Sequence, residues 1–213
     1  MTIRHHISEP LLMAYCAGDL PEAFNLVVAT HISMCDECRA RAGAFDALGG
    51  AVVATCEAAA IADETMEAAL ARITGLPRIE AQPAIRRSAL PGPLFDYVGE
   101  DLSAVKWRPV GMGVRQAILK TGREATARLL YIPAGQAMPD HGHNGLEMTL
   151  VLQGAFLDAE GRFGPGDVEI GDASLKHTPV AEEWGDCICL AASDAKLKFT
   201  GLLPRLAAPF FRI

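Results

Sequence analysis

The sequence predicts an α + β chain in two parts: a small all-α domain joined by a proline-rich linker to an all-β barrel. Three observations carry this expectation. Residues 8–74 show helical spacing of apolar side chains between start and stop signals. Residues 75–93 hold Pro77, Pro83, Pro91 and Pro93 and lack either helical or strand periodicity. Beyond them the pattern changes to short apolar strands punctuated by glycine and proline. A chain of 213 residues has room for two such domains, drawn at 1–85 and 95–213 with residues 86–94 as the linker.

The helices follow from local signals. Ser8 is placed to cap the first, with Pro10 in its opening turn and Gly18 as its stop. Pro21 opens a second, "PEAFNLVVATHISM". Asp36 is the expected cap of a third, weakened late by Gly49-Gly50. Asp63 is the expected cap of a fourth, "DETMEAALARITG", whose residues Met66, Leu70 and Ile73 form an apolar stripe at i, i+4, i+7. That stripe reads either as core or as partner surface. In the second half, "VKWRPV", "RLLYI", "EMTLVLQG", "GDVEIGD" and "CICLAA" are the expected strands, spaced as in a sandwich or barrel.

Composition narrows the function. Half the residues are apolar, as in an ordinary globular protein, but no apolar run approaches the 18 or so residues of a membrane span. With no apolar leader at the N-terminus, the expected compartment is the cytoplasm, where six cysteines serve as ligands, redox thiols or core residues rather than disulfides. The net charge of −7 is uneven: residues 1–85 carry 5 Lys/Arg against 11 Asp/Glu. Such an acidic half argues against direct nucleic-acid binding and suits docking onto a basic protein.

Chemistry concentrates in two stretches. "HISMCDEC", residues 31–38, sets His31 and Cys35 four apart, one helical turn, with Cys38 a turn later. These are three ligands for a tetrahedral zinc ion, and the fourth is left to His5, His6 or Cys16. Zinc there would join segments that otherwise bury little, because four short helices make a thin core. The second stretch is "GQAMPDHGHNGLEMTLVLQG", residues 135–154, reading G-x5-H-x-H-x3-E-x6-G. On a strand, His141 and His143 face the same side, and Glu147 adds an oxygen ligand. Further on, His177 offers a third imidazole, and Cys187 and Cys189 share one strand face as core residues or as redox thiols.

Both stretches resemble known families. A distal histidine followed by H-x3-C-x2-C is similar to the zinc-binding anti-sigma domain, a resemblance covering roughly residues 1–85. With 24 residues between His6 and His31, the spacing fits and favours His6; His5, with 25 between, stays open. Residues 135–154 match the first cupin motif at every fixed position. The second cupin motif is looser, with Asp172, Ser174 and Ala181 departing from the usual residues. The cupin resemblance implies a barrel metal on His141, His143, Glu147 and His177, with zinc, manganese, iron and nickel all compatible.

Together the two domains resemble ChrR-type anti-sigma factors of the bacterial singlet-oxygen response. This implies a non-enzymatic inhibitor that binds an extracytoplasmic-function (RpoE-type) sigma factor, expected at 1:1. The cupin domain would be needed to release it under singlet oxygen or oxidative stress. The competing expectation is a metal-dependent, dioxygenase-like cupin enzyme with a regulatory helical domain.

Overall fold

The computed structural model describes residues 2–75, 90–99, 101–199 and 201. Helices α1 (Glu9–Ala17), α2 (Glu22–Met34), α3 (Asp36–Ala54) and α4 (Asp63–Thr74) come first. A short helix α5 (Phe95–Val98) leads into strands β1 (Arg108–Gly111), β2 (Val114–Ile118), β3 (Thr126–Ile132), β4 (His141–Gly142), β5 (Glu147–Gln153) and β6 (Phe156–Asp158). The remainder are β7 (Gly161–Phe163), β8 (Val168–Gly171), β9 (Lys176–His177), β10 (Val180–Ala181), β11 (Cys187–Ser193) and β12 (Lys198–Phe199). The α + β class is as expected.

Helix ends show where local signals operate. Ser8 stands at the N-cap of α1, and Gly18, at φ +77°, closes it as the Gly18 and Asp19 N–H groups donate to Tyr15 and Ala14 carbonyls. Two expected caps are displaced by one residue. Asp36 and Asp63 are the first residues of α3 and α4, and the caps are Cys35 and Ala62. The Cys35 sulfur accepts the Cys38 N–H at 3.4 Å, taking the place of a capping oxygen. Helix α3 also runs through Gly49-Gly50 to Ala54.

The main sheet has the order β1-β2-β3-β11-β5-β8, with three-stranded sheets β10-β6-β7 and β12-β4-β9 beside it. Pairing is antiparallel throughout, and β11, the last long strand, sits between β3 and β5. Alternation along the strands sends one set of side chains inward (Ile132, Val151, Cys187, Cys189) and another outward (Leu129, Leu150, Val168, Leu190). The outward set forms a row, with Leu190 opposite both Leu129 and Leu150, and Leu150 opposite Val168.

The helices cover this outward face. Phe24, Val27 and Val28 of α2, with Ile7 and Leu12, belong to one buried cluster with Leu129, Met148, Leu150, Val168 and Leu190. The helical part is therefore not a thin core held alone; it shares the outer core of the sheet. Of the expected linker, residues 86–94, the first four lie outside the described residues, as does most of the proline-rich stretch before them. Its described end is packed: Leu90 and Leu94 are buried in the shared cluster.

Candidate metal centres

The first centre lies at the corner between α2 and α3. The two helices do not form the continuous face that the spacing of His31 and Cys35 suggests, since the chain breaks at Cys35 (φ −114°, ψ 107°). The corner brings the ligands together instead. One ligand atom from each of His6, His31, Cys35 and Cys38 lies within 4.8 Å of all the others. His6 Nδ1 is 3.4 Å from the Cys35 sulfur and 3.6 Å from the Cys38 sulfur. His5, by contrast, lays its ring on Phe163 at 4.1 Å between centroids, and Cys16 points its thiol at the Ala42 carbonyl.

The electrostatics of this cluster ask for a cation. His31 is fully buried, and its Nδ1–H donates to the Gly166 carbonyl at 2.8 Å. That bond leaves Nε2 as the unprotonated nitrogen, buried and without a hydrogen-bond partner among the described residues. Burial lowers the His31 pKa, keeping the ring neutral. Burial foremost, with the adjacent Cys35, pushes the Cys38 thiol up to about 11. A cation is the group that would stabilise its thiolate at neutral pH. Two sulfurs and two imidazole nitrogens suit a closed tetrahedral site.

The second centre is inside the barrel. Residues His141 and His177 are directly opposite each other across β4 and β9, with Nε2 atoms 3.2 Å apart. His143, just past β4, completes a buried group of three imidazoles within 4.8 Å of one another. Among the described residues neither His143 nitrogen has a hydrogen-bond partner, although the ring is buried. The His141 Nδ1–H donates to the Pro139 carbonyl at 2.8 Å, which turns its Nε2 toward the cluster. Glu147 stands just outside the imidazole group, with Oε2 3.6 Å from His143 Nδ1. Burial opposes ionisation of Glu147, yet His143, His141 and Arg128 outweigh it and hold its pKa below the ordinary value.

Comparison with known proteins decides the family. The chain is 60% identical, over the full length of both, to "Anti-sigma-E factor ChrR" of Cereibacter sphaeroides. The chain belongs to the ChrR family of anti-sigma factors. A family model described as the ChrR cupin-like domain matches residues 98–196. The crystal structure of Rhodobacter sphaeroides SigE in complex with the anti-sigma ChrR contains a chain 57% identical to this one. The match has a TM-score of 0.81 and covers 91% of this chain and 100% of that one.

Around the imidazoles of this ChrR-family barrel, the structure adds residues that the sequence reading missed. His177 Nδ1 sits 3.0 Å from both Asp158 Oδ2 and Glu169 Oε1. Burial, with Asp158 close by, raises Glu169 to about 7 despite the imidazole; the two carboxylates overcome the effect of burial on His177 and raise it to about 9. Arg128 is buried too and donates to Gln116 Oε1 at 3.2 Å. Strand alternation could have flagged Glu169, since it lies between outward Val168 and Ile170. Where the second cupin motif is loose, Asp172 Oδ1 accepts the Ser174 N–H at 2.8 Å and holds the turn.

The remaining candidates fall into place as follows. Cys187 and Cys189 face the same side of β11, buried, with sulfurs 3.5 Å apart. Their contact, with burial, raises the Cys189 thiol pKa. Met66, Leu70 and Ile73 are not core: each is more than half exposed, as are Leu48, Val52 and Val53 on α3. No single helix among the described residues is long and apolar enough to cross a membrane.

Proposed function

We propose that this chain is an anti-sigma factor. It binds an extracytoplasmic-function (RpoE-type) sigma factor one-to-one in the cytoplasm and keeps it from core polymerase. Zinc is held on His6, His31, Cys35 and Cys38. The observation that carries the reading is 60% identity along the full length to a protein named as an anti-sigma factor. SigE, the partner in the related complex, supplies the class of target.

Zinc fits the first centre because the buried, unpartnered His31 Nε2 and two sulfurs converge with His6 Nδ1. Bound there, it supplies no reaction; it clamps the N-terminal segment to the α2–α3 corner. The helices beyond the corner offer the apolar surface for the sigma factor. On α4 that surface is Met66, Leu70 and Ile73, exposed by 65, 52 and 66%. In the barrel, His141, His143 and His177, with Glu147 beside them, hold zinc or another divalent metal. This part is required for releasing the sigma factor under singlet oxygen, and Cys187 and Cys189 are its candidate redox thiols. Residues 1–85, 86–94 and 95–213 remain our division into inhibitor, linker and barrel.

The test is co-expression with an extracytoplasmic-function sigma factor from the same organism. The reading expects a one-to-one complex that silences transcription in a purified system. A Cys35→Ser or Cys38→Ser chain is expected to lose zinc and inhibition together. Full inhibition without zinc refutes the metal's role, and absence of any sigma-factor complex refutes the function. The full-length likeness favours this reading over a dioxygenase-like cupin enzyme, which requires substrate-dependent oxygen uptake that disappears in His141→Ala.

A further inference from the structure

The first metal centre does not end at its four ligands. Residues 164–168, the turn entering β8, belong to the barrel, yet they hold two of those ligands in place. Asp167 is buried, and its Oδ1 accepts the backbone N–H groups of Arg4 at 2.6 Å and His5 at 2.9 Å. Its Oδ2 accepts the Gly164 N–H at 2.8 Å, which fixes the carboxylate. The Val168 N–H returns a bond to the His5 carbonyl at 3.2 Å. The segment that ends in His6 is thus bonded on both sides of its backbone. The adjoining carbonyl, that of Gly166, accepts the proton of His31 Nδ1 and so sets which nitrogen faces the cluster.

The turn itself is rigid. Gly166 N–H donates to the Val151 carbonyl at 2.8 Å, and Val151 N–H to the Asp167 carbonyl at 3.0 Å, tying it to β5. Gly166 adopts φ +88°, and a Cβ there would sit 2.6 Å from Ile3 Cδ1. The left-handed backbone favours glycine, and any other residue there would also have to displace the Ile3 side chain of the N-terminal segment.

We infer that the barrel's Gly164–Asp167 turn is a working part of the N-terminal metal site, with Asp167 and the Gly166 carbonyl as positioning groups for His6 and His31. The inference rests on the metal reading of that four-residue cluster. Its consequence is that the barrel governs how firmly the helical part holds its metal. Groups that orient metal ligands typically change metal affinity by about 10–100-fold when removed. Asp167 acts on the ligand segment through two backbone bonds, so its loss is expected to have an effect in that range.

The experiment uses the full-length, zinc-loaded chain. Zinc transfer to a chromogenic chelator is followed alongside mass-spectrometric alkylation of Cys35 and Cys38, which report on this centre alone. Asp167→Ala is expected to speed both by at least tenfold, while circular dichroism and the protection of Cys187 and Cys189 stay unchanged. Gly166→Ala, which drives a methyl into Ile3 and leaves every ligand intact, is expected to act in the same direction and decides the matter if Asp167→Ala does not fold. Folded variants that release zinc at the unaltered rate overturn the inference. An unaltered chain whose Cys35 and Cys38 hold no zinc overturns it together with the metal reading. Sigma-factor binding is measured separately, so a chain that retains zinc but captures no sigma factor refutes the functional reading alone.

Discussion

Replacing Leu190 by alanine tests whether the two parts stand or fall together. Leu190 lies at the middle of β11, fully buried, flanked across the sheet by Leu129 and Leu150, which are also fully buried. Helix α2 packs on this strand, and Phe24, Val27 and Val28 share its cluster. Truncating a buried leucine costs about 2–5 kcal/mol, more where the surroundings cannot collapse. Neighbours held between a hydrogen-bonded sheet and a helix have little freedom to move, so about 3–4 kcal/mol is expected. For a chain of this size that lowers the melting temperature by roughly 10 °C. The assay follows helix content by far-ultraviolet circular dichroism and barrel packing by fluorescence of Trp107, which stacks edge-on to Tyr131 of β3. A shared core requires both signals to shift together in one transition. If the helical signal melts separately, at an unchanged temperature, the reasoning from a shared core is wrong.

Other expectations follow from the two centres. Cys38→Ser removes a fully buried sulfur from the four-ligand cluster, and is expected to abolish zinc retention at that site and, with it, sigma-factor inhibition in a reconstituted transcription assay. In the metal-free barrel, Glu169 and Asp158 overcome burial to hold the His177 proton up to about pH 9, against an ordinary value of 6.5. That proton stabilises the metal-free fold fully below pH 6.5 and ceases to as pH rises through 9. A metal taking Nε2 must displace it, so affinity at the barrel site is expected to climb between pH 7 and 9, with proton release detectable by calorimetry in buffers of different ionisation enthalpy. Thiol reactivity is expected to separate cleanly: Cys56, exposed at the end of α3, alkylates fast, while Cys187 and Cys189 resist until the barrel unfolds.

Much of this was legible in the sequence because ligand chemistry needs particular atoms at short spacing. His31, Cys35 and Cys38 were readable from eight residues, and His141 and His143 from three. The reason they converge was misread at Cys35, where a helix corner rather than a helix face does the work. Local spacing does not encode a corner that depends on a sulfur capping the next helix. Alternation along β8 could have marked Glu169 as inward, but its meeting with Asp158 at His177 was not legible, because β6, β8 and β9 lie in three different sheets. Likewise nothing near residue 6 in the chain announces Asp167, 162 and 163 positions away from the residues it touches. The apolar stripe on α4 was legible as a pattern, but its exposure required the tertiary structure.

The geometry of β8 lets one short strand reach both candidate centres. Alternation turns Glu169 inward to His177 and Val168 outward into the core under α2. The backbone at Val168 is free on its outer edge, because β8 is the last strand of its sheet, and that edge is what receives His5. An exposed strand edge invites pairing with another chain, and here the protein's own N-terminal segment occupies its first position, the Val168 N–H. Occupying that position and presenting His6 are the same act. An N-terminal segment that frays from β8 therefore withdraws His6 from the candidate ligand cluster and frees the Val168 N–H at once, so these hydrogen bonds act beside the shared apolar core in joining the barrel to the helical corner.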